Sequence, residues 1–174
     1  MDLNKVKVAG PCNIVFDSVN IGHTLDGIEF TAERDFLDVK VDRYGETPID
    51  KVLTGNRVMI KFKLAQADWY NLNVAIPETS SYDGSGTNDR ADLGADAGAS
   101  LRTEAKLLVI HPIKNVATDK SEDITIYRAV SADNIELPYK IDEQKVIEVT
   151  MHALVDESYG TGRRLGHIGP ADVS

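Results

Sequence analysis

The stretch from Thr24 to Tyr44, TLDGIEFTAERDFLDVKVDRY, constrains the fold more than any other part of this chain. Ile28, Phe30 and Ala32 alternate with polar residues, and so do Leu37, Val39 and Val41. Alternation at period two marks a strand with one buried and one polar face. Folding the stretch back around Glu33-Arg34-Asp35-Phe36 sets Ala32 opposite Leu37, Phe30 opposite Val39 and Ile28 opposite Val41. The other face then carries Glu29 opposite Lys40, Thr31 opposite Asp38, and Gly27 opposite Asp42. A slip of one residue would scramble both faces, so the pattern specifies its own pairing. Arg34-Asp35 lacks the Gly or Asn of a two-residue primed turn, so the sequence predicts a hairpin closed by a four-residue loop.

The 174 residues leave room for one domain, 1–174, with a core of its own. No apolar run reaches the length of a membrane span, which predicts no membrane partner. MDLNKVKVAG lacks the basic-then-apolar order of a signal peptide. The single cysteine, Cys12, cannot form an internal disulfide, which fits a reducing cytoplasm. With a formal net charge of -9, the surface repels nucleic acid, and specific DNA binding is disfavoured.

Along the chain, Val6 and Val8, then Ile14 and Phe16, suggest two short strands broken by Gly10-Pro11. Asp17 to Gly22 reads as a connection, and Tyr44-Gly45-Glu46-Thr47-Pro48 as a loop. Ile49 to Leu53 reads as one helical turn ended by Thr54-Gly55-Asn56. Arg57 to Leu64, RVMIKFKL, is the cleanest strand, with Val58, Ile60, Phe62 and Leu64 on one face. Asp68 caps a predicted helix to Ile76, with Trp69, Leu72 and Ile76 on one stripe over an open end of the core, and Pro77 after it. Glu78 to Ser100 is a long polar loop, to be ordered by a partner. Ala105 to Ile113, Ile124 to Tyr127 and Val146 to Val155 resume strand character, Leu137-Pro138-Tyr139 is an edge or bend, and the Gly-rich tail from Glu157 reads as loose. Seven to nine strands and one short helix predict an antiparallel β-sandwich or barrel.

Catalytic motifs are absent: there is no G-x-x-x-x-G-K-[ST], G-x-S-x-G or H-E-x-x-H. His23, His111, His152 and His167 are dispersed without ligand spacing, and His152 reads as solvated on its strand. Asp83 to Asp89 loosely resembles a calcium loop, but its sixth position is Asn88 and its twelfth Gly94, which excludes an EF-hand. Gly162-Arg-Arg-Leu-Gly166 has no strand-loop-helix setting and reads as a turn, and Cys12 has no base beside it and reads as buried. No cofactor, metal or enzymatic activity is expected.

Residues 10–78, GPCNIVFDSVNIGHTLDGIEFTAERDFLDVKVDRYGETPIDKVLTGNRVMIKFKLAQADWYNLNVAIPE, resemble the tube-forming subunits of phage tails. Asp42-Arg-Tyr-Gly-Glu-Thr-Pro-Ile-Asp-Lys-Val-Leu-Thr-Gly55, followed by an alternating strand and a short helix, carries most of the likeness. LRTEAKLLVIHPI and KVIEVTMHALVDE resemble the family's closing strands. The resemblance implies an all-β sandwich whose long hairpins join neighbours into hexameric rings. The rings stack into a tube, made in the host cytoplasm and carried in the virion tail, that conducts DNA during ejection. It also implies other tail proteins, such as a terminator or distal tail component, as partners. On this reading Glu29, Thr31, Asp38, Lys40 and Asp42 line the lumen. Tyr44, Gly45, Glu46, Thr47 and Pro48, with Tyr82, Asp83, Asp89, Arg90 and Leu93, make contacts between subunits. An acidic wall would let DNA slide without adhering. The tube of a contractile injection system and a stand-alone β-sandwich binding module remain open as alternatives.

Overall fold

Buried apolar residues at alternate positions mark the strands that build the core: Ile14 and Phe16; Ile60, Phe62 and Leu64; Leu108 and Ile110; Ile147, Val149 and Met151. The computed structural model describes residues 10–66, 68–77, 79–82, 90–94, 97–139, 141 and 144–171. The strand expected at Val6 and Val8 lies outside them. In chain order the elements are β1 (Cys12–Phe16), β2 (Val19–Asn20), β3 (Thr24–Val39), β4 (Asp50–Leu64), α1 (Trp69–Ala75), β5 (Thr79–Tyr82), β6 (Arg90–Leu93), β7 (Lys106–Pro112), β8 (Ile124–Ser131), β9 (Ile147–Ala153) and β10 (Gly166–Ile168).

The fold is all-β with one short helix. Its main sheet runs β2-β1-β7-β8-β9-β4-β3, with β10 added to β8, and β5 and β6 pair separately. Every pairing is antiparallel. The sheet is open, but it curls: residues 21–23 alone join its two outermost strands, and the Ala65 amide donates to the His23 carbonyl at 3.0 Å. The curl brings β1, β4, β7, β8 and β9 around one apolar cluster. Burying a side chain the size of Phe62 there contributes about 2–3 kcal/mol.

Three expectations need correcting. The connection at Asp17 to Gly22 is a tight hairpin: Asp17 (φ 46) and Ser18 (φ 69) turn β1 into β2. The hairpin expected to turn at Glu33 to Phe36 does not turn there. β3 runs straight through these residues and pairs along its length with β4, so Phe30 faces Ile60 rather than Val39, and Ala32 faces Val58 rather than Leu37. Ile49 to Leu53 is accordingly no helical turn. Residues 50–53 open β4, which continues through Thr54, Gly55 and Asn56 without a break. A ladder of this length satisfies many more backbone groups than two short arms around a loop would.

The helix starts where expected, with the Asp68 carboxylate accepting from the Asn71 amide at 2.8 Å. Its buried face is set by Asn71, Val74 and Ala75 rather than Trp69, which stays 44% exposed. The side-chain amide of buried Asn71 donates to the Gln66 carbonyl at 3.0 Å, while its Oδ1 has no partner among the described residues. Leu72 and Ile76 are half-buried against the core. The tail after Glu157 is also more ordered than its composition suggests. Tyr127 stacks on Tyr159, with ring centroids 3.6 Å apart, and β10 pairs with the first half of β8.

Candidate assembly surface

β4 pairs with β9 only from Met59 to Leu64, so among the described residues positions 50–58 of β4 and their partners on β3 have no third strand. They form a two-stranded arm that reaches roughly 25 Å past the sheet at 3.3 Å per residue. A bulge at Thr54 bends it, since Asp35 pairs with Gly55 while the next residue, Phe36, pairs with Leu53. A Cβ at Gly55 would lie 2.9 Å from an Asp35 carboxylate oxygen, the end of an exposed side chain that would have to move aside.

Cross-strand partners share a face, and successive residues alternate faces. Phe36 and Leu53 therefore occupy one face of the arm, and Leu37 and Val52 the other. All four are exposed, at 53%, 53%, 59% and 46%. Ion pairs brace the ribbon between them: Arg57 reaches Glu33 at 3.5 Å and Asp35 at 2.9 Å, and Lys51 reaches Asp38 at 2.9 Å. At the tip, Asp42–Tyr44 form a 3-10 turn, and Gly45 (φ 59) reverses the chain. Lys40 pairs with Glu46, and the Ile49 amide donates to the Val39 carbonyl at 2.8 Å. Val41, Tyr44 and Ile49 stand exposed around this turn.

The residues expected to line a lumen do not share one face. Glu29 faces Lys61 and Thr31 faces Met59 near the base, while Asp38 faces Lys51 on the opposite side of the arm. Lys40 and Asp42 lie past the end of β3. Glu29 therefore does not oppose Lys40, and Asp38 is not an uncompensated charge. Tyr44 to Pro48, expected between subunits, stand together at the tip. Tyr82 and Arg90 are register partners on β5 and β6, and Leu93 faces Thr79 and is exposed. Asp83 and Asp89, with the calcium-like run, fall outside the described residues.

Three of the four histidines have side-chain partners. His152 meets Asp133 at 3.0 Å, His111 meets Asp123 at 2.5 Å, and the Tyr127 hydroxyl meets His167 at 3.0 Å. The hydrogen bond from His152 holds the Asp133 carboxyl below the ordinary value, and a hydrogen bond and charge from Lys61 do the same for Glu148. Burial pushes the half-buried Cys12 thiol up, away from the reactive thiolate. Among the described residues, no three His, Cys, Asp or Glu side chains are placed to hold a metal, and no helix is long and apolar enough to cross a membrane. No family model matches the chain, and no curated protein matches it.

Sequence reasoning missed the apolar pairs of the arm. Their signal was present as a change of parity, from even positions up to Ala32 to odd positions from Leu37.

Proposed function

We propose that the chain is a self-assembling structural protein, the subunit of a phage tail tube whose stacked rings conduct DNA. The observation that carries this reading is the arm. A ribbon with apolar side chains on both faces has no core of its own to bury them, and such a surface is normally covered by a partner. The resemblance of residues 10–78 to tube-forming subunits points to further copies of the chain as that partner. The net charge of -9 suits a conduit through which DNA passes without adhering.

Negative-stain microscopy and light scattering of the purified protein test the proposal. Rings or tubes are expected. A monomer at every attainable concentration overturns it and favours a stand-alone binding module.

A further inference from the structure

A groove of about 560 Å³ opens at the base of the arm, between β3 and β4 on one side and β8 and β10 on the other. Phe30, Ala32 and Val58 form one wall and Ile126 part of the other. Arg34 and Arg164 also line it. Neither arginine has an ion-pair partner among the described residues, which is also true of Arg43, Arg102, Lys106, Lys145 and Arg163, but Arg34 and Arg164 are the basic residues that line this groove. In a chain with 28 acidic and 19 basic residues, two unpaired arginines beside an apolar groove mark a place for an apolar group flanked by carboxylates.

The arm's own tip has that chemistry. Val41, Tyr44 and Ile49 are exposed, and Asp42 and Asp50 beside them have no ion-pair partner among the described residues. The tip cannot enter its own groove, because a braced antiparallel ribbon carries it away from its base. We propose that the tip of one copy seats in the groove of another, with Asp42 and Asp50 meeting Arg34 and Arg164. This contact is head-to-tail, and repeated by a closing rotation it makes a ring. It rests on the assembly proposed above, and it names the receiving surface.

Two experiments test it. A benzophenone amino acid at position 44 is expected to cross-link to residues 124–126 or 162–168 of a second chain, and cross-links confined to other segments overturn the pairing. Charge reversal gives the second test. Arg34→Glu with Arg164→Glu, or Asp42→Arg with Asp50→Arg, should each raise the concentration needed for assembly by about 100-fold or more, since like charges then meet. Mixing the two variants restores one native and one charge-swapped contact, so assembly returns. These side chains are not in the core, and circular dichroism confirms that each variant folds. If both variants assemble normally while the wild-type chain forms rings, the tip-to-groove contact is overturned and the assembly reading stands. If the groove variant instead loses binding of dodecanoate and still assembles, the groove is a small-ligand site and the contact is again overturned. A wild-type chain that stays monomeric overturns both.

Discussion

Single positions decide how the late strand docks. A Cβ on Gly166 would lie 2.1 Å from the Thr125 carbonyl oxygen, so β10 approaches β8 only because position 166 has no side chain. Gly166→Ala should cost on the order of 1–3 kcal/mol in urea unfolding, whereas Gly160→Ala, which meets nothing within 4 Å, should stay within about 0.5 kcal/mol of wild type. Asp133 supplies a pH signature. Its folded-state pKa is depressed by His152, so its contribution is fully present above the unfolded aspartate value of about 3.9 and is lost as pH falls through the lower folded value. Asp133→Ala should therefore be less stable than wild type at pH 6, and the gap should narrow as pH falls below about 3.9. Urea midpoints measured across that range check it. A gap that persists unchanged to pH 3 would show that the carboxylate charge is not the cause.

At the scale of elements, β3 and β4 do two jobs along one ribbon. Near its base the half-buried Phe30 faces Ile60 and packs against the core, and Phe30→Asp should lower stability by on the order of 1–3 kcal/mol in urea unfolding without abolishing the fold. Farther out, Leu37→Asp with Val52→Asp should leave the unfolding midpoint nearly unchanged while abolishing rings, and light scattering beside a urea titration separates the two effects. This division of labour explains what could be read in advance. Val58, Ile60, Phe62 and Leu64 were legible as a core face because one side of β4 meets the apolar cluster. The parity change between Ala32 and Leu37 looked like a turn because alternation reports burial, and a ribbon that leaves the core is free to carry apolar residues on either face. Ile49 to Leu53 was misread for the same reason. Trp69 shares its helical spacing with Leu72 and Ile76, yet Ala75 and the hydrogen-bonded Asn71 occupy the buried face. β10 was invisible because its three residues include Gly166, whose value lies in a close approach that no propensity records.

For the whole molecule, charge and connectivity set the behaviour. Assembled protein should fail to retard double-stranded DNA at about 0.15 M salt, and retardation that weakens steeply with added salt would contradict the conduit reading. The wide sequence separation of paired strands predicts folding in milliseconds to seconds rather than microseconds, which stopped-flow fluorescence of Trp69 would measure. The order of the strands also imposes a timetable during synthesis. The arm is finished once Leu64 has been made, but the groove lacks a wall until Ile168 follows, about 100 residues and 5–20 s later at the usual speed of translation. On the proposed pairing, a nascent chain displays its plug well before it owns a socket. If tip and groove meet as proposed, nascent chains that have not yet reached Ile168 offer tips but no complete groove, so they cannot pair with one another.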